Sequence, residues 1–140
     1  MMTKFKLFTD GGSRGNPGPA AAGIVLKNGS NEIIKSGGKY LRVCTNNEAE
    51  YRALILGLKT AIKFDVKELE CYLDSELIVK QLTGAYRVRD QNLKKFYDEI
   101  KILEKHFDSL DSVEYKHIPR DQNKEADAIV NKVLDAATAK

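Results

Sequence analysis

The sequence contains no tryptophan, three prolines, two histidines and two cysteines in 140 residues. Cys44 and Cys71 lie far apart with no Cys/His set at metal-ligand spacing, which argues against a zinc centre and for reduced core thiols. No stretch approaches the roughly 18 consecutive apolar residues of a membrane helix. Met1-Met2-Thr3-Lys4 runs into an alternating segment instead of the apolar core of a secretory leader, so a cytoplasmic protein without membrane association is expected. An excess of one charge is also missing. The 23 basic and 20 acidic residues leave +3, which suits a polyanionic partner only if the acids are gathered in one place. With no internal repeat or low-complexity tract, residues 1–140 read as a single domain, long enough to bury roughly two-thirds of its unfolded surface.

What is present is organised around Phe5 to Pro19. Phe5, Leu7 and Thr9 alternate with Lys6, Phe8 and Asp10, predicting a strand that ends at Asp10, and the glycines that follow predict a sharp turn. Gly12, Gly15 and Gly18, with no Lys-Ser or Lys-Thr after them, match neither G-x-x-x-x-G-K-[ST] nor G-x-G-x-x-G, so a nucleotide cradle is a poor fit. Ala20 to Lys27 and Glu32 to Tyr40 read as two strands joined across Asn28-Gly29, which completes an antiparallel meander. Thr45-Asn46-Asn47-Glu48 has capping-box spacing, and Glu50, Ala53, Leu54, Gly57, Leu58 and Ala61 share one stripe of the helix it starts.

Leu69 to Asp74 is a second strand ending in aspartate. It leads into a helix from Ser75 to Thr83, with Leu77, Ile78, Gln81 and Leu82 inward and Gly84 as the stop. A linker from Ala85 to Gln91, a helix from about Asn92 to Phe107, a strand from Val113 to Ile118 and a last helix opened by Pro119-Arg120-Asp121 follow. The order β-β-β-α-β-α-α-β-α predicts an α/β fold of the mixed α+β kind. Its five-stranded mixed sheet has three antiparallel strands, then two parallel ones, and is flanked by helices.

Asp10, Glu50, Asp74 and Asp127 each stand at a strand end or in the first turns of a helix. A strand reached through a helix lies parallel to its neighbour, so Asp10 and Asp74 should emerge at one sheet edge, where open α/β sheets bind ligands. Gly57 should let its helix approach the sheet closely and hold Glu50 near the strand ends. Each acid also has a plain structural reading: Asp74 before Ser75 is an N-cap candidate, and Glu50 a rim carboxylate met by water or a base. Four converging carboxylates repel and require protons, basic partners or metal ions, and an all-oxygen set selects hard Mg²⁺ or Mn²⁺. Two such ions about 3.5 to 4 Å apart support phosphodiester hydrolysis.

Four blocks resemble type 1 ribonuclease H: Thr9-Asp10-Gly11-Gly12-Ser13 with Gly15-Asn16-Pro17-Gly18, then Thr45 to Leu54, then Asp74-Ser75, then Pro119 to Asp127. They occur in the family's order and span nearly the whole chain. The resemblance implies a ribonuclease H-like fold and an endonuclease that cuts the RNA strand of RNA–DNA hybrids, leaving 5′-phosphate and 3′-hydroxyl ends. It implies two Mg²⁺ ions, with Mn²⁺ as a substitute, held by Asp10, Glu50, Asp74 and Asp127. It also places Asn16, Asn46 and Asn47 at the hybrid's minor groove and Thr45 and Asn92 on a DNA-strand phosphate; main-chain groups near Gly11 and Gly12 can contact the 2′-hydroxyls that distinguish RNA from DNA. As a structural alternative, Asn46 and Asn47 fit as ordinary helix-start residues.

Two departures from the family pattern matter. Where many members carry a catalytic histidine on a flexible loop, this chain has the tight Tyr115-Lys116-His117-Ile118-Pro119-Arg120. His117 precedes Asp127 by the right interval but alternates with Val113 and Tyr115, leaving a partly packed structural histidine and a proton shuttle as equal readings. Arg120 is the competing candidate, near the departing product in relatives with this Pro-Arg motif, or else a solvated helix-entry charge. The segment from Gly84 to Asn92 is too short for a basic protrusion, so Arg14, Arg42, Arg87 and Arg89 are expected to contact phosphates. A non-catalytic binding module, another nuclease of the superfamily, and additional cleavage of double-stranded RNA remain as alternatives. The expected assembly is a monomer on a hybrid duplex.

Overall fold

Alternation along the first third of the chain produces three antiparallel strands: β1 (Phe5–Ser13), β2 (Gly18–Lys27) and β3 (Ile33–Cys44). Then come α1 (Asn46–Lys63), β4 (Leu69–Leu73), α2 (Glu76–Leu82), α3 (Gln91–Glu104), β5 (Val113–His117), a 3₁₀ turn at Arg120–Gln122, and α4 (Lys124–Thr138). The computed structural model describes residues 4–109 and 112–139. The sheet order is β3-β2-β1-β4-β5. β2 pairs antiparallel with β1 and β3, whereas β4 runs parallel to β1 and β5. This is the mixed sheet predicted from the element order.

The period of two along β2 divides the packing. Ala20, Ala22, Ile24 and Leu26 face the side covered by α1, α2 and α3, while Ala21 faces α4 with Val130 and Leu134. Leu7, Leu54, Leu58, Leu69, Leu73, Ile78 and Ile100 are fully buried on the larger side, each worth about 1.5–3 kcal/mol relative to exposure. Both cysteines are buried free thiols. Gly57 is required where α1 crosses β1, because a Cβ there would lie 2.7 Å from Leu7 Cδ2 and 3.1 Å from Thr9 Cγ2.

The structure corrects several boundaries. β1 does not end at Asp10: Gly11, Gly12 and Ser13 continue the pairing with β2, opposite Ala22, Ala21 and Ala20. The turn comes later, at Arg14 to Pro17, with Gly15 at φ +90°. β3 extends past Tyr40 to Cys44 through an irregularity in which Ala20 pairs with Arg42 and Ala21 with Tyr40. In α2, Leu77 is exposed and Val79 buried, because the inward face is centred on Ile78 and Leu82, with Val79 and Gln81 on its two flanks; Gln81 Oε1 accepts the buried Tyr51 hydroxyl at 2.6 Å. α3 starts one residue early, at Gln91, because Asp90 caps it by accepting the N–H groups of Asn92 and Leu93, and it ends at Glu104. Pro119 leads into the 3₁₀ turn rather than the last helix, and α4 begins only after Asn123, whose φ of −118° and ψ of 30° interrupt the two.

Candidate active site

Parallel pairing of β1 with β4 runs from Phe5↔Leu69 to Phe8↔Tyr72, and β4 stops at Leu73. Asp10 and Asp74 therefore emerge side by side where the shorter strand ends. Beyond that point the β4-facing backbone groups of β1 have lost their strand partner, and unpaired buried groups of this kind are costly. Three side chains replace it. Asn123 Nδ2 donates to the Thr9 carbonyl at 2.8 Å, the Gly11 N–H donates to Glu50 Oε1 at 2.8 Å, and the Ser13 N–H donates to Asn46 Oδ1 at 2.9 Å.

Glu50 reaches this edge from the first turns of α1, where Thr45 is the N-cap and accepts the Glu48 N–H at 3.2 Å. The capping-box contact differs slightly from expectation, because Glu48 Oε1 accepts the Thr45 hydroxyl at 3.3 Å. Carboxylate oxygens of Asp10, Glu50 and Asp74 all lie within 4.8 Å of one another. Asp127, from the first turn of α4, lines the same cleft of about 500 Å³ but stands outside that mutual set. Three of the four expected acids thus converge tightly, and the fourth flanks them.

Burial and mutual repulsion shape the acids' protonation. Asp10 is pushed up to about 8, first by desolvation, then by the charges of Asp74 and Asp127, with Arg120 opposing. Glu50 is held well above the ordinary carboxylate range, again mainly by burial and then by Asp10 and Asp74, against the Gly11 N–H and Arg120. Protons on these two groups relieve the repulsion; a divalent cation would do so more completely. An all-oxygen, closely spaced, desolvated donor set fits a hard cation such as Mg²⁺.

Asp74 does not cap α2. Ser75 does, its Oγ accepting the Ile78 N–H at 3.3 Å, and Asp74 Oδ2 instead accepts from Asn123 Nδ2 at 3.1 Å. Gly11 is buried, with its N–H given to Glu50, and an added Cβ would fall 2.2 Å from the Ala49 carbonyl oxygen. Its lack of a side chain is required by the packing of α1, and its backbone also lines the acidic cleft. Gly12 is the open position: a Cβ there would meet only Val130 Cγ1, at 3.9 Å.

Asn46 and Asn47 line the cleft, but Asn46 Oδ1 is committed to Ser13 and Asn16 Oδ1 accepts the Asn46 N–H at 3.0 Å. Asn16 and Asn46 thus clamp the β1–β2 turn onto α1. Thr45 and Asn92 lie outside the residues that line the cleft, Asn92 exposed at the start of α3. His117 is exposed at the end of β5, not partly packed, and is not part of the lining; Arg120 is. Arg14 pairs with Asp135 at 2.6 Å, Arg42 is exposed at φ 63°, and Arg87 and Arg89 are exposed beside Tyr86. Sequence reasoning missed Ser13, Asn123 and Asn131. Asn131 Nδ2 approaches Asp127 Oδ2 at 3.4 Å, and its signal was the one-turn spacing from that acid.

A mixed sheet in this order, with carboxylates gathered where its adjacent parallel strands β1 and β4 end, marks the ribonuclease H-like fold. The model of the family described as Reverse transcriptase-like matches residues 8–133. A ribonuclease HI of Halobacterium salinarum is 43% identical over 130 residues, covering 93% of this chain and 64% of its own length. The bifunctional protein Rv2228c of Mycobacterium tuberculosis is 38% identical over 135 residues, which is 96% of this chain but 36% of that protein. The chain therefore spans under two-thirds of the length of these curated relatives. The crystal structure of LC11-RNase H1 in complex with RNA/DNA hybrid superposes with a TM-score of 0.92 at 36% identity, over 97% of this chain and 100% of that one. The chain belongs to the Reverse transcriptase-like family and, within it, to the type 1 ribonucleases H in the short form without a basic protrusion.

Proposed function

We propose that the chain acts as one ribonuclease H domain, a monomer that hydrolyses the RNA strand of RNA–DNA hybrids and leaves 5′-phosphate and 3′-hydroxyl ends. The carrying observation is the convergence of Asp10, Glu50 and Asp74 oxygens within 4.8 Å at a strand end open to solvent. Likeness to a ribonuclease HI and to a structure that holds an RNA/DNA hybrid supports the substrate.

On this reading Asp10, Glu50 and Asp74, flanked by Asp127, hold two Mg²⁺ ions, with Mn²⁺ as a substitute. When bound, such ions supply the activation of a water and neutralise charge on the departing 3′ oxygen. The protein's own contribution is placement. Gly11 and Asn123 fix two of the carboxylates by hydrogen bonds, and burial raises the affinity of Asp10 and Glu50 for protons, with which a bound cation would compete. The half-buried backbone at Gly12, Asn47 and the remaining amide hydrogens of Asn46 face the same cleft and suit contacts with minor-groove 2′-hydroxyls. Thr45 and Asn92, outside the cleft, suit the DNA strand. Arg120 and Arg14 both line the cleft, and Arg120, beside the carboxylates, suits the product phosphate.

The test is a gel assay with end-labelled RNA–DNA hybrid, double-stranded RNA and double-stranded DNA, each with Mg²⁺, Mn²⁺ or chelator, for the wild type and Asp74→Asn. Internal cuts in the hybrid's RNA, lost with chelator and in the variant, are expected. Binding without cleavage would make the chain a non-catalytic module. Cleavage of double-stranded DNA would place it with other nucleases of the superfamily, and cuts in double-stranded RNA would widen the substrate class.

A further inference from the structure

Asn123 is 1% exposed, a large polar side chain sealed inside the fold. It precedes α4, and asparagine is among the best residues for capping a helix start. Yet it makes no side-chain cap: its conformation lies away from the extended region that capping residues adopt, and its amide points back into the sheet. There Nδ2 bonds both the Thr9 carbonyl at 2.8 Å and Asp74 Oδ2 at 3.1 Å. Both neighbours are acceptors, so the NH₂ end of the amide must face them, and the orientation is fixed by chemistry. The main-chain carbonyl of Asn123 meanwhile accepts the Asp127 N–H at 3.1 Å. One residue therefore touches the strand carrying Asp10, the carboxylate of Asp74 and the helical turn carrying Asp127.

Asn123 Oδ1 is buried with no hydrogen-bond partner among the described residues. A side chain kept for stability alone would use both of its polar ends, or be apolar. The fold gives up a helix cap and leaves an oxygen unpaired so that an amide can stand between two strands.

We propose that Asn123 is a positioning residue for the cation site: it holds Asp74 in register with Asp10 so that their carboxylates, with Glu50, can bind a divalent ion together. This rests on the metal-site reading above. Asn123 reaches neither solvent nor substrate, so its effect must pass through Asp74. Residues that orient metal ligands typically change affinity by about 10- to 100-fold when removed.

The experiment is calorimetric titration of the whole chain with MnCl₂ alone, below the unfolding temperature, for wild type, Asn123→Ala, Asn123→Asp, Asp74→Ala and Asn123→Ala/Asp74→Ala. Asn123→Asp keeps the size but turns an oxygen toward two acceptors, and it decides the case if the alanine variant does not fold. Either Asn123 variant should weaken Mn²⁺ binding by about 10- to 100-fold. The loss should vanish in the Asp74→Ala background. In hybrid hydrolysis kcat should fall and recover with excess Mn²⁺ while KM for the hybrid stays put, a pattern that lost stability alone does not produce. Binding within twofold of wild type, or an equal further loss in the Asp74→Ala background, overturns the proposal. If the wild type binds Mn²⁺ but does not cut hybrid, the hybrid reading falls and the Asn123 comparison still decides. If the wild type binds no Mn²⁺, both fall.

Discussion

The Gly11 N–H donates to Glu50 Oε1 at 2.8 Å, so a hydrogen bond to a site carboxylate joins the strand that carries Asp10 to the helix that carries Glu50. The two elements touch at backbone distance here, and the consequence for substitution is sharp. Gly11→Ala puts a methyl 2.2 Å from the Ala49 carbonyl oxygen, a contact that only backbone movement can relieve. We expect a loss of about 3 kcal/mol or more in denaturant unfolding, together with loss of hydrolysis. Gly12→Ala, whose methyl meets Val130 at 3.9 Å, should stay within about 0.5 kcal/mol of wild type, so any effect it has on activity reports on substrate contact.

The pH dependence of the metal-free protein follows from Asp10, raised to about 8, and Glu50, raised in the same direction. A carboxyl whose pKa is higher folded than unfolded binds more protons in the native state. Its contribution is therefore intact below the unfolded value near 4 and is lost as pH rises through the folded value. Melting with chelator present should show stability falling between about pH 4 and pH 8. Asp10→Asn should be more stable than wild type at pH 8 and lose that advantage toward pH 4. Saturating Mg²⁺ should remove most of the wild-type loss.

The acids should not be equal. Asp10, Glu50 and Asp74 form the mutual set, and replacing any of them by its amide should cost roughly a thousandfold or more in kcat. Asp127 flanks that set, so Asp127→Asn should cost about 10- to 100-fold. Steady-state rates across a Mg²⁺ series separate the two cases.

Arg120 and His117 divide in the same way. Arg120 opposes the upward shift at Asp10 and Glu50, so Arg120→Ala should move the pH at which half the protein binds Mn²⁺ to a higher value and reduce turnover. His117→Ala should leave kcat within twofold, its side chain being exposed and outside the cleft. A large fall in kcat for His117→Ala would return it to the site.

Arg87 and Arg89 stand exposed between α2 and α3. If both meet phosphates, Arg87→Ala/Arg89→Ala should flatten the dependence of log binding constant on log salt by about 2, since each contact releases close to one counterion. Hybrid affinities measured across a salt series give that slope.

Much of this was legible in the sequence because local signals agreed with the tertiary result. Element order and alternation gave the sheet, and strand-end or helix-start positions gave the four acids. Gly57 was recognisable as the point where α1 nears β1. What misled was glycine at Gly11 and Gly12, read as a turn. In the fold these residues continue β1, because pairing with β2 and the packing of α1 outweigh the preference of glycine for turns. Asn123 went unnoticed because its pattern is that of a helix cap, and only the fold shows its amide crossing to Thr9 and Asp74. The exposure of His117 could not be read either: among the described residues β5 pairs only with β4, and strand alternation does not say whether anything covers its last residue.

The early end of β4 has one more consequence. A strand that outruns its neighbour presents a row of open amides and carbonyls to which a foreign peptide can add, and natural proteins guard such margins. From Thr9 to Ser13 the guards are Asn123, Glu50 and Asn46, two of them bonded to the margin within the acidic cleft itself. The machinery that would gather cations thus also keeps the sheet from recruiting another chain, and variants that empty it risk self-association as well as lost chemistry.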